Sequence, residues 1–179
     1  VLRNLPFLSV DLGGVAGMLL PQTEREVFTH PANGSKTGTA ICYESVYGEF
    51  FGGFVRKGAQ AMFVITNDGW WGDTFGYRNH FNYSRLRAIE TRRSIARSAN
   101  TGISGAIDQR GEVKERLGWW QRGAVTATLN LNDKITTYVR YGDITGRLSG
   151  YVFVLSLLYF GAYSVRKKAH LLEQGPGKR

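Results

Sequence analysis

Residues 148–165, LSGYVFVLSLLYFGAYSV, hold 18 consecutive positions without a charged side chain, and no other stretch constrains the fold as strongly. As a helix this stretch is about 27 Å long, close to the roughly 30 Å hydrocarbon thickness of a bilayer. Tyr151, Tyr159 and Tyr163 can set their hydroxyls near the two interfaces. Arg166, Lys167 and Lys168 follow at once, and Lys178 and Arg179 close the chain. A basic tail beyond an apolar segment predicts a transmembrane helix over 148–165, a cytoplasmic tail over 166–179, and a domain over 1–147 in the opposite compartment. The same stretch would also suit a buried core helix, since 18 residues with two glycines lie near the lower limit for a span. Its position at the C-terminal end excludes a signal peptide.

The 179 residues, 42% of them hydrophobic, suffice for one domain with a real core. One cysteine cannot form an internal disulfide. The net charge of +9 raises nucleic acid or anionic lipid as a partner. Arg85, Arg87, Arg92, Arg93 and Arg97 could make a basic stripe, but no nucleic-acid motif accompanies them. Glu90 lies within a turn of Arg87 and Arg93, so intrahelical pairing accounts for the charge and no nucleic-acid partner is expected.

Residues 1–36 are weakly patterned. Leu5-Pro6-Phe7, Gly13-Gly14 and the polar run 30–36 read as loops and short extended pieces. No Met opens the chain and no first half of a domain is visible, so the sequence reads as the C-terminal portion of something longer. From Gly38 the pattern sharpens into a strand (38–42), a helix (45–57) weakened by Gly48, Gly52 and Gly53, and a strand (61–66) apolar enough to be buried on both faces. A loop with two tryptophans (67–76) and a helix (80–93) with Phe81, Leu86 and Ile89 as apolar contacts follow. Short strands are expected at 95–99, 104–108 and 125–131, with Gln109-Arg110-Gly111 as a hairpin turn. This order predicts a layered α/β sandwich.

Cys42 sits where the first of those strands ends, in TAICYES, ahead of a polar segment with Gly48. A thiol held at a strand-to-helix corner suits covalent acyl transfer, because sulfur is both a strong nucleophile and a good leaving group. A lone cysteine also serves as a small buried hydrophobe.

Several motifs in order resemble a known family: ICYES (41–45), ITNDGWWGDT (65–74), RLRAIETRRSIARSANTGISGAIDQRGEV (85–113) and TYVRYGD (137–143). From about Gly38 to the apolar helix, the chain is similar to the C-terminal half of apolipoprotein N-acyltransferases. They are the membrane-bound, lipoprotein-maturing branch of the carbon–nitrogen hydrolase (nitrilase) superfamily. The resemblance implies part of an α-β-β-α sandwich followed by a C-terminal transmembrane helix, in the cell inner membrane with the catalytic domain on the periplasmic side. It also implies a Glu–Lys–Cys triad with Cys42 as nucleophile, a phospholipid acyl donor, a thioester, and the N-terminal amine of an apolipoprotein as acceptor. The backbone N–H of Tyr43 is a candidate oxyanion donor. In the family the glutamate and lysine precede the cysteine. Glu24, Glu26 and Lys36 stand in other contexts and read as solvated loop charges. The chain alone is therefore expected to be inactive.

Glu44 matches a glutamate the family needs near its site, though a carboxylate at a helix start is also favoured by the dipole. Tyr43 is expected to wall the pocket. Asn67, Asp68 and Trp70 follow a buried strand and are expected to line the pocket at the same sheet edge as Cys42. Trp70, Trp71 and Phe75 could also meet a bilayer surface. His80, at a helix start with no acidic partner in sight, reads as structural. Asn100-Thr101-Gly102 is expected to turn behind the pocket. No cluster has metal-ligand spacing and no cofactor is implied. Two other functions compete: a soluble-type amidase cleaving small amides with the same cysteine, and a degenerate membrane-tethered binding module. The apolar tail speaks against the amidase.

Overall fold

A computed structural model of the chain describes residues 24–173. The expectations for Leu5-Pro6-Phe7, Gly13-Gly14, Lys178 and Arg179 lie outside the described residues.

Strands β1 (Val27–Thr29), β2 (Lys36–Ile41), β3 (Ala61–Asn67), β4 (Ser94–Asn100), β5 (Ser104–Ile107) and β6 (Val113–Leu117) form one six-stranded sheet whose spatial order follows the chain. β2, β3 and β4 are parallel, and the flanking pairs are antiparallel. The two parallel steps need crossovers. α1 (Gly48–Arg56) supplies the first and α2 (Phe75–Thr91) the second. α1 forms despite its glycines because Phe51, Phe54 and Val55 are all buried. Gly38 lets β2 approach this helix, since a Cβ there would come within 2.8 Å of the Met62 sulfur and 2.9 Å of the Phe54 Cβ. α2 starts at Thr74, whose hydroxyl accepts from the Gly76 N–H at 3.2 Å, and ends at Arg92 in the left-handed conformation. Among the described residues, Ala40, Phe51, Val55, Met62, Val64, Phe81, Ala88, Ile95 and Val139 make the core between sheet and helices.

The other sheet face is open. Phe63 and Ile65 on β3 are 38% and 52% exposed, so β3 is not buried on both faces as its apolar run predicts. Burial alternates along it because helices cover one face only.

The 125–131 strand is not formed. Those residues make no ladder. Gly123, Ala124, Val125, Ala127 and Leu129 instead border a cleft of about 760 Å³ against the open face beside Phe63, Ile65 and Ala96. The segment is tied at its ends: the Trp120 N–H donates to the Thr101 carbonyl at 2.9 Å, and the Asn132 N–H to the Gln60 carbonyl at 3.2 Å. The ladder partner of β5 is the polar β6, which the sequence reading lacks. Leu86 and Ile89 are about 40% exposed, unlike buried Phe81, so they are not core contacts of α2. The basic stripe is absent as well. Arg87, Arg93 and Arg97 are buried; Arg87 pairs with Glu90 at 3.2 Å, whereas Arg93 donates to backbone carbonyls.

After α3 (Thr137–Tyr141), α4 (Ile144–Glu173) extends beyond 148–165 at both ends. Its segment from Ile144 to His170 is long and apolar enough to cross a membrane, and none of its most apolar window is buried. The core-helix alternative therefore has nothing packed around it among the described residues.

Candidate functional site

β2 ends at Ile41, and Cys42 opens a short 3-10 turn, Cys42–Val46, at the carboxyl end of the parallel strands. The helix expected at 45–57 begins only at Gly48, because Ser45 folds back: its hydroxyl donates to the Cys42 carbonyl at 2.7 Å. Cys42 has φ of +53°, a region sparsely used by residues with a Cβ. Such a conformation costs on the order of 1–3 kcal/mol and persists only where the surroundings enforce it.

The enforcing contacts lie underneath. His80, buried on α2, places Nε2 3.2 Å from both the Cys42 carbonyl and the Ser45 Oγ. Its Nδ1 lies 2.8 Å from Asp68 Oδ1. Arg97 donates to Asp68 Oδ2 at 2.8 Å and to the Ser45-like hydroxyl of Ser84 at 3.0 Å. Asp68, Ser84, Arg97 and His80 are all buried. Nδ1 faces the acceptor-only Asp68 carboxylate and donates to it. Asp68 thus lies between the His80 ring and the Arg97 guanidinium. Burial alone would push the Asp68 carboxyl up, but the His80 hydrogen bond and the Arg97 guanidinium outweigh it and hold the group below its ordinary value. Burial pushes Arg97 down, opposed chiefly by the Asp68 carboxylate beside it.

The sequence reading therefore needs correction at two residues. Asp68 does not line a pocket; it is 0% exposed and forms the centre of the network. His80 does have an acidic partner, and it grips the backbone of Cys42. A signal was present: Arg97 stands at an inward register position of β4, opposite buried Val64, where alternation calls for an apolar residue, and Asp68 directly follows β3.

The remaining residues surround this corner. The Glu44 carboxylate accepts from the Ile41 N–H at 2.7 Å, the helix-start role. The Tyr43 ring, 48% exposed, lies 5.6 Å from His80 and stacks on Trp71 at 6.2 Å. Asn67 closes a turn by accepting from the Gly69 N–H at 3.1 Å, and Trp70 is 65% exposed. Asn100-Thr101-Gly102 does turn, with the Gly102 N–H donating to the Asn100 carbonyl at 2.8 Å. Gly102 is required there, as a Cβ would collide with the Asp68 carboxyl. Glu24 pairs with Lys57 at 2.7 Å in solvent, while Glu26 and Lys36 are exposed, Lys36 on β2 and not in a loop. Among the described residues, no glutamate or lysine hydrogen-bonds the Cys42 thiol, and no group of His, Cys, Asp and Glu is arranged to hold a metal ion. Cys42 is half-buried and does not border the cleft on the open sheet face.

This sheet with its crossover helices is of the nitrilase type. The fold resembles an amidase from Nesterenkonia sp., with a TM-score of 0.51 and 19% identity over 70% of this chain and 47% of that one. The carbon–nitrogen hydrolase family pattern matches residues 12–138, and the chain belongs to that family. Within it the chain is similar to apolipoprotein N-acyltransferases. It is 40% identical to that of Chlorobaculum tepidum over 119 residues, and 33% identical to that of Rhizobium meliloti over 161 residues. These alignments cover 66% and 89% of this chain but 22% and 30% of the relatives, so the chain spans less than a third of the length of either.

Proposed function

We propose that this chain carries the nucleophile of a membrane-bound N-acyltransferase that moves a fatty acyl group from phospholipid to the N-terminal amine of an apolipoprotein. The observation that carries the reading is Cys42 at φ +53°, its carbonyl held by Ser45 and His80. Similarity to apolipoprotein N-acyltransferases and the unburied α4 support the substrate class.

In this reading the Cys42 thiolate attacks the acyl ester carbon, and the tetrahedral oxyanion collapses by expelling the lysophospholipid alkoxide. The proton taken from the thiol returns to that leaving oxygen. The amine then attacks the thioester, gives its proton to the same base, and releases the thiolate as the amide forms. The glutamate and lysine of the family triad would supply the base and an oxyanion donor. None stands at Cys42 among the described residues, so the segment by itself turns over no substrate. The Tyr43 N–H is positioned by the corner as another oxyanion donor. Tyr43, Glu44, Asn67 and Trp70 shape the entrance around the thiol, and Asp68 acts beneath it through His80. α4 spans the inner membrane with 166–168 on the cytoplasmic side, leaving the sheet domain at the periplasmic face.

The test is to incubate the protein, together with its triad partners, with phospholipid and measure intact mass. One acyl adduct, removable by hydroxylamine, is expected, and Cys42→Ala should abolish it. An adduct that survives that substitution places the chemistry elsewhere. An amidase is the second reading. Small amides that acylate Cys42 faster than phospholipid does would favour it over the acyltransferase.

A further inference from the structure

On the side of α2 facing away from the Cys42 corner lies a second cleft, of about 470 Å³. Arg78, Asn82 and Arg85 border it at spacings of four and three residues, which sets them on one stripe of the helix. His80 and Ser84, which face the buried network, lie on roughly the opposite stripe. Arg116 of β6 closes the cleft from across, and Gln121 adds an amide. Three arginines thus border a cleft that no carboxylate lines.

Each of these arginines keeps some donors free. Arg85 uses Nε on the Gly111 carbonyl at 2.9 Å and one terminal nitrogen on Asn82 at 3.3 Å. Arg78 donates through Nε to the Tyr77 hydroxyl at 3.0 Å, and its nearest carboxylate, exposed Asp73, stands 3.8 Å away. Arg116 is exposed and forms no ion pair among the described residues. Three like charges with one exposed carboxylate among them repel one another, and an anion that chelates them relieves that repulsion. The inner end of the cleft is apolar. Phe81, Ile103 and Val113 border it, and Tyr77 stacks on Trp119 at 4.4 Å as one wall. Trp119 in turn stacks on Trp120, which is 71% exposed.

We propose that this cleft binds a phosphate group, held by Arg78, Arg85 and Arg116 and separate from the thiol chemistry. Planar guanidiniums match phosphate oxygens in paired hydrogen bonds. A phospholipid head group and a free phosphate offer the same chemistry. The apolar end favours a head group with hydrocarbon attached.

The test follows tryptophan emission of the full chain in non-ionic detergent during titration with three probes. These are inorganic phosphate, dihexanoyl phosphatidylglycerol and, without phosphate, dihexanoylglycerol. Saturable binding of at least one phosphate-bearing probe is expected, and none of dihexanoylglycerol. The double variant Arg78→Gln/Arg116→Gln, both exposed positions, should bind at least about tenfold more weakly with an unchanged melting transition. Cys42→Ala should bind as the unaltered protein does, so the result is independent of the acyl-transfer reading. Phosphatidylglycerol at least tenfold tighter than phosphate identifies a head-group site; equal affinities identify a free-phosphate site. The proposal is overturned if neither phosphate probe saturates, if dihexanoylglycerol binds as well, or if the double variant binds undiminished.

Discussion

At the scale of single residues, the corner at Cys42 depends on a charge its sequence neighbours do not supply. Asp68 is fully buried between His80 and Arg97, and removing its charge leaves two buried donors facing a neutral group. Asp68→Asn is expected to cost about 3–5 kcal/mol in unfolding free energy, the range for breaking a buried ion pair. The pH dependence has a definite sign. The folded state holds the Asp68 carboxyl below its ordinary value. Its stabilisation is therefore full above the unfolded-state value and is lost as pH falls through the lower folded one. Urea titrations of both proteins should show a gap that is constant near neutrality and narrows only in strong acid. A gap independent of pH would sink the assignment. The corner at Cys42 was legible in ICYES because a strand ending in small residues announces one. The network beneath it was not. His80 and Arg97 lie 12 and 29 positions from Asp68, and pairings at that range depend on strand register, which local pattern does not report.

At the scale of elements, apolar periodicity was a good guide where a segment is covered and a poor one where it is not. AMFVITN was readable because its run of apolar residues is short and bounded. VKERL was missed because β6 lies at the sheet edge, with charged residues at its three central positions. The 125–131 run has the composition of a strand and yet pairs with nothing in the ladder, since it lies along the open face. What anchors the far end of that crossing is Arg93. Its guanidinium donates to the Ala59 carbonyl at 2.7 Å, the Thr91 carbonyl at 3.1 Å and the Lys134 carbonyl at 3.0 Å. Arg93→Met preserves bulk but leaves those acceptors unpaired inside the protein. A loss of about 3 kcal/mol is expected from the desolvation of abandoned carbonyls. A chemical-denaturation midpoint within error of the unaltered protein's would contradict that account.

At the scale of the molecule, the sheet domain and α4 meet through few side chains. The exposed pair Arg147–Glu49, at 2.6 Å, is one, and Glu49 also accepts from the Asp143 N–H at 3.2 Å. Cutting the chain after Asp143 should therefore leave thermal unfolding of the sheet domain within about 1 kcal/mol, the worth of an exposed pair. Flotation with liposomes should fall sharply. Undiminished flotation would mean that lipid is held by the sheet domain instead. With neighbours in space also neighbours in sequence, every strand after the first docks on a partner already synthesised. A nascent chain can then zip up along a single growing margin, without holding a gap open for a latecomer, and short-range closure of this kind favours quick folding. Stalling translation once the turn at Gly111 has cleared the ribosomal exit tunnel should yield a five-stranded intermediate resistant to brief proteolysis, its last rung waiting to be added.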